Sequence, residues 1–137
     1  MNKEESLALY KRGSVAWNAW AKGMLAERVE LEESGRWLNK AKTWVHAAEI
    51  DFSGHIFYEV ADFSGFIFPW RTEFNEVTFS ADALVEHAKF SGDASFRAVR
   101  FSGDTSFDFA TFSESAVFRD ATFSKDASFD EVLFSEY

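Results

Sequence analysis

The amino-acid sequence predicts a mainly β chain wound as a solenoid and closed at its N-terminal end by α-helices. Two observations predict the solenoid. Phe recurs every 11 residues without exception, at Phe57, Phe68, Phe79, Phe90, Phe101, Phe112, Phe123 and Phe134. A second series, Phe52, Phe63, Phe74, Val85, Phe96, Phe107, Phe118 and Phe129, interleaves with the first at alternating spacings of five and six. A third observation predicts the helical end: before residue 50, apolar residues recur at spacings of three and four amid charges.

The helical region comes first. Leu7, Leu9, Tyr10, Val15, Trp17, Trp20, Met24, Leu25, Val29 and Leu31 predict helix over 3–33, broken at Gly13 or Gly23. Ser34-Gly35 ends it, and Trp37 to Ala48 reads as a further helix. Composition changes where this region stops. All 17 Phe lie after residue 50, and four of the five Trp lie before it. Residues 1–49 carry 8 Lys/Arg and 7 Asp/Glu, whereas residues 50–137 carry 6 and 16. Two units are therefore expected, 1–49 and 50–137.

The second unit is periodic. Two residues before most aromatics stands Ala, Val or Thr; only Ile50, His55 and Phe66 depart from this. The frame is small–x–Phe–x–x, with one extra residue in alternate units. Residues two apart on an extended backbone share a face, so the small residue and the Phe both point inward. Fixed-period self-similarity of this kind marks coils that bury their faces on one another. Ser-Gly after Phe52, Phe63, Phe90 and Phe101 is expected to turn the chain, because Gly accepts positive φ. Each buried Phe contributes about 1.5–3 kcal/mol, so both Phe series are expected to be structural core.

The segments "ADFSG" at 61–65 and "IDFSG" at 50–54 resemble the pentapeptide-repeat family, whose consensus is roughly Ala-(Asp/Asn)-Leu-x-x, often with Phe for Leu. The resemblance covers about residues 50–137 and holds through 16 units. It implies a right-handed quadrilateral β-helix with one repeat per side. The inserted residue departs from the plain pattern and lengthens a coil from 20 to 22 residues, giving about four coils. "VAWNAW" at 15–20 resembles a Trp-Asn-x-Trp segment often found just before pentapeptide coils. The helices are expected to cap the first coil, with Trp17, Trp20, Trp37 and Trp44 on the Phe ladder. A separate partner-binding helical hairpin is the alternative.

Little in the chain suggests catalysis. There is no Cys, so disulfides and thiolate metal sites are excluded and a reducing, cytoplasmic setting is expected. His46, His55 and His87 form no metal-binding spacing, and no phosphate-binding Gly motif occurs. His55 occupies an inward position and is expected to be partly buried near the cap. No Ser has a His and acid partner in frame. No cofactor, catalytic residue or metal site is expected, and no apolar run approaches the roughly 20 residues of a membrane span.

The acids carry the functional expectation. At a 22-residue period, Asp82, Asp104 and Asp126 form one column, and Glu86, Asp108 and Asp130 form another. With Glu59, Asp62 and Glu131, that side holds nine acids against one base, Lys125. Like charges on adjacent strands repel, so the arrangement calls for a compensating reason. Roughly eight net charges over roughly 19 Å approach the density of duplex DNA, about one per 1.7 Å. Asp82, Glu86, Asp104, Asp108, Asp126, Asp130, Glu131 and the outward Phe109 are candidate partner-binding residues. Trp70 and Tyr58 are read as outward aromatics of no special role.

A non-enzymatic protein-interaction scaffold, a rigid acidic rod, is the leading expectation. The pentapeptide resemblance implies a sharper alternative, since family members include DNA mimics that bind type II topoisomerases such as gyrase. A surface-site enzyme is the third. The expected partner is a protein, basic or DNA-binding, rather than nucleic acid or membrane. The chain stops at "FSEY" in mid-unit. A terminal plug begun by Tyr137, end-to-end stacking of two chains through their C-terminal coils, and truncation of a longer protein are the alternatives there. The resemblance favours the homodimer or the truncation, because family members often dimerise through C-terminal coils.

Overall fold

The computed structural model describes residues 1–135; the expectation placed on Tyr137 lies outside them. Three helices, α1 (Lys3–Lys11), α2 (Ser14–Glu33) and α3 (Trp37–Ala48), precede sixteen two-residue strands. The first strand, Ile50–Asp51, follows α3 after a single residue.

Sequence dictates the helix ends. Asn2 and Glu5 form a reciprocal capping box at the start of α1. Gly13, at φ 93°, separates α1 from α2, whereas Gly23 lies within α2. After α2, Gly35 adopts φ 74°, and the Arg36 and Gly35 amides donate to the Leu31 and Glu32 carbonyls. That is the Schellman arrangement, in which Gly is favoured because it has no Cβ to clash.

The strands assemble into four parallel four-stranded sheets, one on each side of a solenoid of four coils. Every pairing joins residues 22 apart, such as Ile50 with Thr72, Phe57 with Phe79, Thr105 with Ala127 and Phe112 with Phe134. The register follows from the pattern: a one-residue slip would turn each inward Phe to solvent. Inside, equivalent rings stack parallel and offset. Phe68, Phe90 and Phe112 lie 4.4 and 4.7 Å apart, and Phe79, Phe101 and Phe123 lie 5.1 and 4.7 Å apart. Rings of neighbouring ladders meet edge to face, as Phe96 and Phe107 do at 5.4 Å. Both geometries suit the quadrupole of the ring.

The ladders are buried through Phe112 but not at the last coil. Phe118 and Phe123 are half-buried, Phe129 is 37% exposed and Phe134 is 57% exposed. These four core Phe are less buried than the rest, because among the described residues each has an equivalent ring stacked on one face alone.

The corners within the five-residue intervals share one backbone angle, whereas the extra residue falls in the alternate intervals such as 57–63 and 68–74. Gly54, Gly65, Glu76, His87, Ala98, Phe109, Asp120 and Glu131, 11 apart, all have positive φ between 53° and 73°. Each from Gly54 to Asp120 sits within a tight turn closed by a bond such as Val77 N–H to Phe74 O, 3.1 Å, or Ala110 N–H to Phe107 O, 3.0 Å. Six of the eight are not Gly. Their left-handed backbone costs about 1–2 kcal/mol each, and at Glu76, His87, Ala98 and Phe109 the next coil pins it, as where Phe109 donates to Asp130 O at 2.9 Å. The reading of the four Ser-Gly pairs as positive-φ turns holds for Gly54 and Gly65 only. At Gly92 and Gly103 the requirement is space: an added Cβ would lie 2.7 Å from Arg71 N and 2.6 Å from Ala81 C.

The helices cover the first coil. Trp17 is fully buried against Phe52, Phe66 and Phe68, and Trp20 lies edge-on to it. Trp37 and Trp44 do not reach the Phe ladder. They pack with Met24, Leu31 and Ala48 in a second cluster, to which Trp70 belongs. Tyr10 fills the position foreseen for them, with its ring against Phe52, Phe57, Phe63 and Phe66. The exceptions to the small-residue rule, Ile50, His55 and Phe66, all belong to this first coil, where helix side chains meet it.

Candidate interaction surface

A parallel coil has one edge without a strand partner, and its backbone groups need bonds. Here side chains of α1 and α2 supply them. Asn18 accepts from Ile67 N–H at 2.9 Å and donates to Gly65 O at 3.0 Å. Trp17 Nε1 donates to Ile67 O at 2.8 Å, Ser6 Oγ accepts from Asp51 N–H at 3.1 Å, and Tyr10 Oη accepts from Asp62 N–H at 3.3 Å. The polar members of the Trp-Asn-x-Trp segment thus act as a substitute strand. Helical spacing and the Trp-Asn-x-Trp resemblance place Tyr10 and Asn18 in the helical cap, but the backbone groups they meet have no signature in the sequence.

The side built on Ala61–Asp62, Ala83–Leu84, Thr105–Ser106 and Ala127–Ser128 bears the candidate acids. The 22-residue register places Asp82, Asp104 and Asp126 beside equivalent strand starts, and Glu86, Asp108 and Asp130 beyond equivalent strand ends. Asp104, Asp126, Asp130 and Glu131 are exposed, while Asp82, Glu86 and Asp108 are half-buried. Among the described residues the ion pairs are Arg28–Glu32, Arg36–Glu30, Arg97–Glu76 and Arg119–Asp120, and none uses these acids.

Some carboxylates are occupied by the coil itself. Asp82 Oδ1 accepts from Asp104 N–H at 2.9 Å, and Asp108 Oδ1 accepts from Asp130 N–H at 2.8 Å and from Ser128 Oγ. The Ser128 bond, with the Asp130 amide second, holds the Asp108 carboxyl below its usual range. These bonds account for part of the like-charge cost. Asp104, Asp126, Glu86, Asp130 and Glu131 make no such side-chain bond among the described residues.

Phe109 is exposed at its corner, and its ring stacks on His87 at 4.9 Å and 3°. The pair extends the internal stacking motif onto the outside, beside Asp108 and the in-register Glu131. His55 is half-buried against Phe57, at 4.6 Å, and burial, then the charges of Lys3 and Lys11, push its pKa down. Trp70 is corrected: it is half-buried, lies edge-on to Trp44 at 5.6 Å, and faces the Arg28 guanidinium at 4.9 Å. Arg28 also lies over Trp37 and Trp44, which joins the α2–α3 hairpin to the solenoid by cation–π contacts. No cluster of three or more His, Cys, Asp or Glu is placed to hold a metal ion among the described residues. No helix among them is long and apolar enough to cross a membrane.

Coil, register and ring ladders define a β-solenoid repeat protein. Residues 85–133 match the family model described as pentapeptide repeats (9 copies), so this stretch is a pentapeptide-repeat segment, and residues 50–84 continue its register in the same four sheets. No curated protein and no solved structure matched the chain.

Proposed function

We propose that the protein is a non-enzymatic interaction scaffold whose acidic side docks a basic protein partner. One observation carries this reading: carboxylates that make no ion pair recur in register along a side holding one Lys, on a scaffold that holds their spacing constant. Fixed carboxylates lose little entropy on binding and attract a cationic surface over a Debye length, about 8 Å at physiological salt. Phe109, exposed among them, supplies an aromatic anchor of the type enriched at interfaces. The absence of Cys suits work in a reducing compartment.

The test is capture of partners by the wild type and by an Asp104→Lys/Asp126→Lys variant. These two carboxylates make no hydrogen bond within the coil, so the variant preserves the ladder. Loss of a salt-sensitive complex in the variant is expected; unchanged capture would remove the proposal.

DNA mimicry is the sharper form, favoured by the in-register columns at a strand spacing of about 4.8 Å. Inhibition of a type II topoisomerase by the wild type, relieved in the same variant, is its expected signature. A second association involves the fourth coil, where Phe129, Leu133 and Phe134 are exposed. Stacking of two copies through that coil would bury them. Sedimentation should then give a dimer that Leu133→Lys/Phe134→Glu converts to monomer; a monomeric wild type would exclude it.

A further inference from the structure

The positive-φ corners take Gly, Gly, Glu, His, Ala, Phe, Asp and Glu in turn. The backbone angle therefore requires no aromatic ring. Yet along the edge that closes the acidic side, Gly65, His87, Phe109 and Glu131, two successive coils carry one. The rings of His87 and Phe109 lie parallel, at 4.9 Å and 3°, and both residues are exposed, Phe109 by 46%. The sister edge, Gly54, Glu76, Ala98 and Asp120, carries none.

This outer stack has a free end. One face of Phe109 meets His87; among the described residues no ring meets the other, which looks along the axis toward the fourth coil and Glu131. Asp108 precedes Phe109, and Phe109 N–H donates to the carbonyl of Asp130, so three carboxylates share this end of the stack. None of them is in an ion pair among the described residues. Bases are further off. Lys89 follows His87, whereas its equivalents beside Phe109 and Glu131 are Thr111 and Leu133. Lys125 precedes the strand Ala127–Ser128 and so lies at the opposite end of this side.

We infer that the basic partner presents an arginine here, with its guanidinium laid on the free face of Phe109 and paired with Glu131. The inference rests on the acidic-side reading and names the side chain which that side selects. A further aromatic ring would continue the stack but bring no charge to the carboxylates. A lysine ammonium would bring charge but has no plane to lay on the ring. A guanidinium does both: it favours aromatic faces and offers a carboxylate two parallel donors. Successive corners are one strand spacing apart, about 4.8 Å, so a plane stacked on Phe109 lies level with Glu131.

Hexa-arginine and hexa-lysine peptides titrated into the intact protein provide the test. The wild type should bind hexa-arginine about tenfold more tightly, and the ring-proton resonances of Phe109 should shift with that peptide. Phe109→Ala should lose most of the preference while still binding both peptides. Ala98 shows that Ala accepts this corner, at φ 57°, and an unchanged melting temperature verifies the fold. Glu131→Gln should lower the preference as well. Asp104→Lys/Asp126→Lys should weaken both peptides alike and keep their ratio. Equal affinity of the wild type for the two peptides, a preference that survives Phe109→Ala, or one that collapses in Asp104→Lys/Asp126→Lys would overturn the inference and leave the acidic-side reading standing. Binding of neither peptide would remove both.

Discussion

Asp104 donates its backbone N–H to the carboxylate of Asp82, one coil earlier, at 2.9 Å. The same step recurs where Ser115 meets Asp93 at 3.2 Å, Arg97 meets Asn75 at 3.1 Å, and Asp130 meets Asp108 at 2.8 Å. An acid on this rod therefore has two uses. Some carboxylates tie coil to coil, and others face solvent with no partner among the described residues.

Asp108 provides a pH test. Its folded pKa lies below the ordinary carboxylate value, owing first to Ser128 and then to the Asp130 amide. A depressed carboxylate pKa contributes stability that is present above the unfolded pKa, about 4, and is lost as pH falls through the folded value. Asn should keep the acceptor geometry, as Asn75 does toward Ser95 and Arg97. Denaturation of Asp108→Asn should therefore show a deficit at neutral pH that closes as pH drops below about 4. A pH-independent deficit would refute the assignment.

The two classes of Gly should respond differently to Ala. Gly65 has φ 72° and open space around an added Cβ, so Gly65→Ala should cost about 1 kcal/mol from backbone strain alone. Gly103→Ala places a Cβ 2.6 Å from Ala81 C and should cost more, about 1–3 kcal/mol or beyond. Ala98→Gly, which relieves φ 57°, should be neutral or stabilising. Urea melts of the three variants give the order directly; equal losses at Gly65 and Gly103 would contradict it.

The substitute strand predicts that Asn18→Ala costs about 1–3 kcal/mol, because Ile67 N–H and Gly65 O both lose their partner at the cap. Trp17→Ala should cost about 3–5 kcal/mol, through a cavity and the loss of the bond to Ile67 O. Val15→Ala, on the exposed face of the same helix, should change the melting temperature little.

Thr72 and Thr105 occupy equivalent inward positions but differ in their hydroxyls. Thr72 Oγ1 donates to Trp70 O at 3.1 Å, and Thr105 Oγ1 is buried with no partner. Thr105→Val should be neutral or stabilising by about 1 kcal/mol, and Thr72→Val destabilising by about the same. Thermal denaturation of the pair checks the sign.

The coil was readable from the sequence because burial selects one residue type at one interval, and Phe57 through Phe112 obey it. The α3 ends were readable because Gly35 and the strand frame at Ile50 bound it. Other features were not. Gly54 and Gly103 look alike in sequence, though one supplies a backbone angle and the other clearance. Positive φ at Phe109 or Ala98 has no compositional signature, since the neighbouring coil imposes it. Trp70 alternates outward and looked inert, but α2 and α3 return over it. On the candidate side, the columns followed from the period, whereas which carboxylates the backbone would use depended on corner geometry.

The bonds between coils all run along the rod's long axis. Tension applied between its two ends would load those bonds one coil at a time, so the molecule should unravel in steps of 22 residues at modest force. A pull across the axis would instead strain all four circuits and the stacked rings together. A partner attached on the flank would thus hold against forces that a tether at the tip would not.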